Sequence, residues 1–489
     1  MKKTYTEILI PIVLLCISSC TRMQQYAAVD EPLNTFPDYS DVVIPSNIAP
    51  LNFHIGRDRR KCMARFVAGR DSFDVYCRNH VVIPIRKWRK LLNDNPGKRL
   101  TIHPFIRETD GWVKYRDITL DIASEAIDPY IAYRLIEPGY EFWGKMGIYQ
   151  RCLETFDETP VLLNTMTDGS CMNCHSFCKN DPRKMLLHVR AAHAGTILNN
   201  NGQLAKLDTQ TPDHVSAAVY PRWHPGGRYI AFSTNKTSQA FHSANKNLVE
   251  VYDSASDLMI YDTETQSIFT HPLIHSSDRL ETFPEWSPDG KSLYFCSAPA
   301  VEMPDHYDSL RYDLFRVDFD PQTGKIGNKT DTVLQPSKTG KSIAFPRISP
   351  DGRHMVVCLS GYGTFPVWHR DNDLYVLNVE TGGLTPASEL NSAESDSYHS
   401  WSTNGRWIVF SSRRMDGLYT RPYIACFDSG GRFHKPFLLP QKDPLFYDGF
   451  LQSYNVPEFV SGKIETGIRT LERIVKGDAT GVRAAENNQ

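Results

Sequence analysis

The chain has 489 residues, enough for two or three domains or for one large repeat fold with an accessory domain. Its 54 Lys and Arg residues nearly balance its 56 Asp and Glu residues, and no basic stripe stands out. We therefore expect no nucleic-acid partner. Aromatic residues make up 11% of the chain, which excludes a largely disordered protein.

Residues 1–19 are predicted to be a signal peptide. Lys2 and Lys3 precede a short apolar stretch that ends in Ser18-Ser19-Cys20, too short to span a bilayer. A cysteine at this place resembles the lipobox of bacterial lipoproteins, and an ordinary signal peptide with a chance cysteine is the alternative. The resemblance implies that Cys20 is acylated and anchors the protein in the outer membrane on its periplasmic side. Residues 20–45 would then be a polar tether.

Residues 46–160 are predicted to form a β-rich accessory domain with one helix at IRKWRKLLND, residues 85–94. Two strand-like segments, CMARFVAG and RDSFDVYC, meet at a two-residue loop, Gly69-Arg70. That loop would bring Cys62 and Cys77 opposite each other. A disulfide between them and two unpaired strand cysteines both remain open.

Cys171, Cys174 and His175 form a C-x-x-C-H motif, the pattern of covalent c-type haem attachment. In this interpretation the two thiols bond to the haem vinyl groups and His175 binds the iron from the proximal side. His188 is favoured as the distal ligand, with Met185 and His193 as alternatives. Other interpretations also stay open: a C-x-x-C disulfide or redox pair, a zinc or iron–sulfur site that adds Cys178, and a motif without function.

The second half of the chain contains four copies of one repeat. The copies are YPRWHPGGRYIAFSTN, FPEWSPDGKSLYFCSA, FPRISPDGRHMVVCLS and YHSWSTNGRWIVFSSR, with anchors at Trp223, Trp286, Ile348 and Trp401. Each copy has a turn followed by a β-rich segment, and each unit then supplies a further strand. Repeats of this length with strand-like content predict propeller blades. Cys296 and Cys358 share one register and are expected to be small buried residues.

These residues resemble the TolB-type propeller, whose blades carry an aromatic residue, then Ser-Pro-Asp-Gly and an apolar strand. The resemblance covers about residues 215–435 and implies six blades, as is usual for such propellers. A fifth blade is expected at residues 171–210, and the sixth at residues 130–165 or in the C-terminal segment. The fold prediction is therefore an all-β protein with a propeller at 165–455 and a C-terminal tail at 456–489, which is expected to fray from Ile464 onward.

Long loops of the repeats should gather on one face of the propeller, and we expect a protein partner there. The loop residues that could serve it are His242, Tyr252, His306, Tyr307, Arg311, Tyr362, Trp368, His369 and Arg370.

Two functions follow from these features. The first is an electron-transfer or redox lipoprotein whose propeller carries one covalent haem c. The second is a non-catalytic TolB-like interaction scaffold whose C-x-x-C is a disulfide. A haem-dependent propeller enzyme is a third interpretation. The chain has no G-x-S-x-G motif and no room for a hydrolase domain after the last repeat, so we expect a carrier or binding protein and no hydrolase.

Overall fold

The computed structural model describes residues 26–56, 61–138, 144–212, 214–245 and 247–485. The predicted signal peptide and Cys20 lie outside these residues. The described chain is built mainly from β-strands and contains only two α-helices, so the all-β prediction is confirmed. No helix in this part of the chain is long and apolar enough to cross a membrane.

The N-terminal region consists of two sheets and one helix. Its elements are β1 (Ala27–Ala28), β2 (Thr35–Phe36), β3 (Val43–Ile44), β4 (Phe53–Ile55), β5 (Lys61–Ala68), β6 (Asp71–Arg78), β7 (His80–Val81), α1 (Ile85–Asp94), β8 (Arg99–Glu108), β9 (Gly111–Lys114) and β10 (Ile118–Ile122). The larger sheet has the order β1-β9-β8-β10-β3, and the hairpin β5–β6 joins it through β8. The smaller sheet has the order β2-β4-β7.

Residues 26–45 contribute β1, β2 and β3 to these sheets, so the tether predicted for 20–45 is wrong for this part. β1 runs parallel to β9, and β3 runs parallel to β10. The segment folds into the region because it carries apolar side chains: Tyr39, Val42 and Ile44 are buried in the core. Asp38 also accepts a hydrogen bond from Lys435 Nζ at 2.7 Å, which ties the segment to the second half of the chain.

The helix α1 occupies the residues that the sequence predicts. Trp88, Leu91 and Leu92 are spaced three and four residues apart on one face and are buried against the larger sheet. The indole nitrogen of Trp88 donates to the carbonyl of Ile48 at 2.9 Å, so this buried polar group is satisfied.

The hairpin β5–β6 turns at Gly69-Arg70, and its register pairs Cys62 with Cys77. The two cysteines are joined by a disulfide. The bond closes a hairpin that β8 already holds in the sheet through pairing with β5.

Within the described residues, the rest of the chain forms six sheets built on four antiparallel strands each. The strands are β11 (Tyr130–Ile136), β12 (Gly147–Cys152), β13 (Glu158–Leu163), β14 (Cys171–Cys178), β15 (Asp181–Arg190), β16 (Gly195–Asn200), β17 (Gln203–Asp208), β18 (Ala218–Trp223), β19 (Tyr229–Phe241), β20 (Val249–Asp262), β21 (Ser267–Phe269), β22 (Arg279–Trp286), β23 (Ser292–Pro299), β24 (Asp313–Asp320), β25 (Lys325–Leu334), β26 (Ser342–Ile348), β27 (His354–Ser360), β28 (Asp373–Asn378), β29 (Leu384–Pro386), β30 (Asp396–Trp401), β31 (Trp407–Ser412), β32 (Arg421–Cys426), β33 (Phe437–Leu438) and β34 (Ser453–Val460). Five sheets take four consecutive strands, and the sixth has the order β13-β12-β11-β34.

One edge strand of each sheet lies at the centre of the molecule. These inner strands are β14, β18, β22, β26, β30 and β34; each contacts the next, and β34 contacts β14. The predicted anchors Trp223, Trp286, Ile348 and Trp401 are the last residues of β18, β22, β26 and β30. Sheets arranged in this way around a common centre give a propeller-like architecture, with apolar side chains packed between neighbouring sheets.

The C-terminal segment is integrated into the fold, so within the described residues both the tail predicted for 456–489 and its fraying from Ile464 onward are wrong. β34 pairs with β11, and the sixth sheet therefore uses both segments that the sequence offered as alternatives. Leu471 and Val475 of the helix α2 (Ile468–Lys476) are buried. The short strands β35 (Thr480–Gly481) and β36 (Arg483–Ala484) then run parallel to β17 and β21.

Candidate ligand-binding site

A cavity of about 440 Å³ lies at the centre of the propeller-like ring, between the inner strands. Residues of β14, β18, β26, β30 and β34 line it, together with the ends of β11 and β15. Its size and its mixture of apolar walls with a few polar groups are typical of small-molecule sites. This cavity is therefore the candidate functional site.

The inner strands carry the same four-residue pattern at the same place. The six copies are Cys174-His175-Ser176-Phe177, Tyr220-Pro221-Arg222-Trp223, Phe283-Pro284-Glu285-Trp286, Phe345-Pro346-Arg347-Ile348, Tyr398-His399-Ser400-Trp401 and Val456-Pro457-Glu458-Phe459. The first residue of each copy has a positive φ, between 45° and 53°. In β14, β18, β22, β26 and β30 the ladder to the next strand shifts register there, as at a β-bulge.

The bulge residues form an aromatic layer, which we define as Tyr220, Phe283, Phe345 and Tyr398. Their ring centroids follow one another at 4.6 Å, 5.6 Å and 5.2 Å, in tilted and edge-on contacts. Tyr220, Phe345 and Tyr398 face the cavity. Cys174 and Val456 stand at the two bulge positions without a ring.

The third residues of the copies form a charged layer, defined as Arg222, Glu285, Arg347 and Glu458. Arg222 Nε lies 2.6 Å from Glu285 Oε2, and Arg347 Nη1 lies 3.4 Å from the same oxygen. Glu458 Oε1 is 3.7 Å from Arg222 Nη1, but burial raises the pKa of Glu458 to about 7. A carboxyl group with this pKa is about half protonated at neutral pH, so the arginines outweigh the carboxylates in this layer.

Two further arginines line the cavity wall without a carboxylate partner. Arg134 Nη1 donates to Asn173 Oδ1 at 2.9 Å and to the carbonyl of Met172 at 3.5 Å, both neutral groups. Arg190 also lines the cavity; within the described residues its side chain makes no hydrogen bond or ion pair, but its charge opposes the rise that burial causes in the pKa of Asp253. The carboxylate of Glu137 also lines the cavity, but it accepts from the backbone N–H of Gly144 at 3.1 Å.

The hairpin β19–β20 covers part of the cavity mouth. Its strands have 13 and 14 residues, against six to eight in the equivalent strands of the next three sheets. A bulge at Lys236 and Thr237 marks the start of the extension. Beyond it, Thr237, Gln239 and Phe241 line the cavity, alternate residues on one side of the strand.

The hairpin is held to the loop between β27 and β28. Tyr362 Oη donates to Glu250 Oε2 at 2.7 Å, and His369 Nε2 lies 3.6 Å from Glu250 Oε1. Glu250 and His369 are almost fully buried. Burial lowers the pKa of His369 to about 4, so at neutral pH its imidazole is uncharged.

The loop residues predicted to form one face do come together, around Tyr307. Its ring centroid lies 6.3 Å from that of His242, 6.1 Å from Tyr252 and 5.8 Å from Tyr362. Arg311 lies over the Tyr362 ring, Arg370 pairs with Glu394, Trp368 lines the cavity, and His306 is exposed. Cys296 and Cys358 are buried, as expected.

The haem motif lies in β14, and Cys171, Cys174 and His175 all line the cavity. The thiol of Cys174 lies beside the backbone of Tyr220, and burial raises its pKa. The ring of His175 lies beside backbone groups of Ala132 and Val456, and it is 3% exposed. A haem iron has to reach a ring nitrogen of the motif's histidine, but Nε2 of His175 is buried. This arrangement does not fit a covalent haem.

The residues predicted as distal haem ligands all have other contacts. His188 Nδ1 shares a hydrogen bond with Thr196 Oγ1 at 3.1 Å, and His188 pairs in register with Asn173. Met185 is buried in the apolar core between sheets. His193 Nε2 lies 2.7 Å from a carboxylate oxygen of Asp168.

The other interpretations of the cysteines also differ from the structure. Cys171 and Cys174 are free thiols, so the predicted C-x-x-C disulfide is absent. Cys178 Sγ contacts the carbonyl of His224 at 3.7 Å. Across the described residues, no group of three or more His, Cys, Asp or Glu side chains is arranged to hold a metal ion, so the three-thiolate site is not formed.

Sequence reasoning missed Arg134 and Arg190. Neither lies in a recognisable motif, and both reach the cavity because of strand register: Arg190 is paired with Cys171, and Arg134 lies on the strand next to β34. One signal was available for the strands themselves. Cys174-His175-Ser176-Phe177 matches Tyr398-His399-Ser400-Trp401 at two positions and ends in an aromatic residue, as three of the four recognised copies do.

No protein-family model matches the chain, and no curated protein matches it. Among solved structures it is similar to a DUF4784 family protein from Bacteroides caccae, with 8% identity and a TM-score of 0.32 over 74% of this chain and 97% of that one. A puromycin-hydrolyzing peptidase from Mycobacterium tuberculosis gives 12% identity and 0.37 over 84% of this chain and 57% of the peptidase. An oligogalacturonate lyase in complex with manganese gives 12% identity and 0.30, over 82% and 98%.

Similarities this distant concern the β-rich fold alone. The three compared structures are a DUF4784 family protein, a peptidase and a lyase. The geometry of Cys171, Cys174 and His175 gives the haem prediction no support. The prediction of a haem-carrying electron-transfer protein is wrong, and so is its alternative, a scaffold whose C-x-x-C is a disulfide.

Proposed function

We propose that the protein is a six-bladed propeller whose central cavity binds a small organic anion. Each of the six four-stranded sheets would be one blade. Pairing between β11 and β34, strands from the two ends of the repeat region, supports a closed ring. The repeated Ser-Pro-Asp-Gly turns after the inner strands support a propeller of the TolB-like kind.

The observation that carries the ligand proposal is the pair Arg134 and Arg190. Both residues line the cavity, and no carboxylate within the described residues forms an ion pair with either, although the charge of Arg190 acts on the buried carboxyl of Asp253. A charge held away from water without a counter-charge is unfavourable, and an anion from solution relieves that cost with charge-assisted hydrogen bonds. Guanidinium groups also match the planar geometry of a carboxylate.

The direction of entry follows from the layers. The charged layer lies on one side of the aromatic layer. Its ion pairs join Arg222 and Arg347 to Glu285 and close that side of the cavity. The loop face lies on the other side, where the extended hairpin β19–β20 lines the mouth. A ligand would therefore enter and leave through the loop face, past the hairpin.

We further propose the location that the sequence predicts, a lipid anchor at Cys20 in the outer membrane on the periplasmic side. A protein partner on the loop face also stays a prediction. Phe241 and Leu248, near the tip of the hairpin, are 59% and 54% exposed and would be the residues to contact it.

The ligand proposal is tested by binding of a panel of small anions to the purified mature protein. Isothermal calorimetry would be run with phosphate, propionate, succinate, glucuronate and 3-phenylpropionate. We expect at least one of the four carboxylates to bind more tightly than phosphate, and Arg190→Gln to weaken that binding about tenfold or more, because a charged hydrogen bond is lost. Arg183→Gln is the matched control, since Arg183 lies on the same strand, is 75% exposed and pairs with Asp181. If no anion binds in a manner sensitive to Arg190, the proposal fails.

A further inference from the structure

The side chains around Arg134 and Arg190 indicate which class of organic anion the cavity binds. This inference rests on the proposed function. The hydroxyls of Tyr220 and Tyr398 make no hydrogen bond within the described part of the chain, although both side chains line the cavity. Burial raises the pKa of both tyrosines, to about 12 for Tyr398, and nearby guanidinium groups oppose the rise: Arg190 at Tyr220 and Arg134 at Tyr398. Each hydroxyl is thus a protonated donor in the field of one arginine.

These four side chains form an anion subsite. The two guanidinium groups supply only donors and each phenol hydroxyl can donate one hydrogen bond, which suits the acceptor oxygens of a carboxylate. The thiol of Cys174 lies in the same field, because Arg190 and Arg134 both act on its pKa. Burial nevertheless raises the pKa of this thiol, so it adds no negative charge beside the bound anion.

Most of the rest of the wall on the loop side is apolar and aromatic, with Thr237 and Gln239 of the hairpin β19–β20 as polar members. Phe345 belongs to the aromatic layer, and Phe365, Trp368, Phe241 and Val251 line the cavity above it. The ring of Phe365 stands at 61° to that of Tyr220, with centroids 6.5 Å apart. Walls of this kind favour a flat hydrophobic body, which gains from ring contacts and from leaving water.

We propose that the cavity binds an arylcarboxylate, with its carboxylate on Arg134, Arg190, Tyr220 and Tyr398 and its ring against Phe365 and Trp368. A sugar acid is the main competitor, since sugars also lie against aromatic rings. It would bring several hydroxyls into the apolar part of the cavity, where each needs its own partner, and an unpaired buried hydroxyl is costly. An aryl ring leaves no polar group unpaired there.

The test compares matched probes on the full mature protein. 3-Phenylpropionate carries both features; propionate lacks the ring, 3-phenylpropanol lacks the charge, and glucuronate replaces the ring with a hydroxylated one. We expect 3-phenylpropionate to bind at least tenfold more tightly than each of the other three in calorimetry. Trp368→Leu should weaken 3-phenylpropionate and leave propionate unchanged, whereas Arg190→Gln should weaken 3-phenylpropionate and leave 3-phenylpropanol unchanged.

The outcomes separate the two proposals. If glucuronate or propionate binds as tightly as 3-phenylpropionate and depends on Arg190, the organic-anion site stands and the arylcarboxylate is wrong. If binding of every probe is insensitive to Arg190, the proposed function itself fails. Arg190→Lys guards against a folding defect in Arg190→Gln: it keeps the charge and loses the two-pronged geometry, so binding between that of wild type and Arg190→Gln is expected. If folded Arg190→Lys binds 3-phenylpropionate no better than Arg190→Gln does, that result would contradict an anion at this position.

Discussion

β14 and β30 occupy equivalent places on either side of β34 and share two of the four pattern residues, yet only β14 contains a cofactor motif. Cys174-His175-Ser176-Phe177 lies within a C-x-x-C-H pattern, and Tyr398-His399-Ser400-Trp401 lies within a recognised repeat. The structure gives both the same backbone, with φ values of 51° at Cys174 and 45° at Tyr398. Position in the repeat therefore accounts for the local conformation of β14, and the haem-like spacing does not.

The two strands differ in how they satisfy their histidines. His399 Nε2 lies 2.8 Å from the carbonyl of Val356, and its Nδ1 lies 3.9 Å from Cys358 Sγ. His175 Nε2 is buried and has no hydrogen-bond partner within the described residues. Both histidines occupy the repeat position that proline fills in the other four copies, but only His399 has hydrogen-bond partners for both ring nitrogens.

The largest expected effect tests whether the two strands are equivalent. Phe177 and Trp401 both end the four-residue pattern, and they are 4% and 6% exposed. Phe177→Ala and Trp401→Ala should each lower the free energy of unfolding by about 3–5 kcal/mol, because each leaves a cavity between sheets. Urea denaturation measures this, with Phe241→Ala as the exposed control that should stay within about 0.5 kcal/mol of wild type. A nearly neutral Phe177→Ala would mean that β14 is not a structural copy of β30.

The same comparison explains what the sequence could and could not predict. The helix at 85–94, the hairpin at Cys62 and Cys77 and four inner strands follow from local patterns, and the structure has them where the patterns lie. β14 and β34 were harder because Cys174 and Val456 replace the aromatic residue that begins the other copies. β34 also pairs with β11, more than 300 residues earlier, and local periodicity does not encode such a pairing.

The site was less predictable than the fold. Trp368 was among the loop residues expected to bind a partner, and it does line the cavity. Arg134 and Arg190 are single residues in ordinary strands, and only tertiary register brings them to one wall. Motif reasoning identified the strand that borders the site, through Cys171 and Cys174, but assigned it the wrong chemistry.

The second prediction concerns acid stability. Burial lowers the pKa of His175 to about 4 and that of His399 to about 3. In the unfolded chain a histidine has a pKa of about 6.5, so below that pH the unfolded state takes up the proton first and the native state loses stability. Between pH 7 and pH 4, His175 alone should remove about 3 kcal/mol from the free energy of unfolding, and below its folded pKa this loss levels off.

Urea denaturation at pH 7.0, 5.5 and 4.5 checks this expectation. His175→Gln should weaken the decline in stability with falling pH, because one titrating group is gone, and His399→Gln should do the same. His193→Gln is the control, since His193 is a partly exposed histidine beside Asp168. An unchanged pH dependence in His175→Gln would show that this imidazole is not held neutral in the folded protein.

The smallest expected effect separates the two histidines from each other. The register shift in β14 leaves Cys174 and His175 without partners on β15, so a proline at 175 removes no ladder hydrogen bond. Pro221, Pro284, Pro346 and Pro457 already stand at this position in the other strands, after residues with the same positive φ. His175→Pro should therefore change the free energy of unfolding by less than about 1 kcal/mol at pH 7.

His399→Pro has the same backbone consequences but also removes the donor that satisfies the carbonyl of Val356. A buried acceptor left unpaired costs about 1–3 kcal/mol, so His399→Pro should be less stable than His175→Pro by that amount. The measurement is the difference between the two variants in urea at pH 7, where both native histidines are neutral. Equal effects would mean that the hydrogen bond to Val356 contributes nothing. A larger loss at His175→Pro would mean that its ring has a partner that the repeat position does not supply.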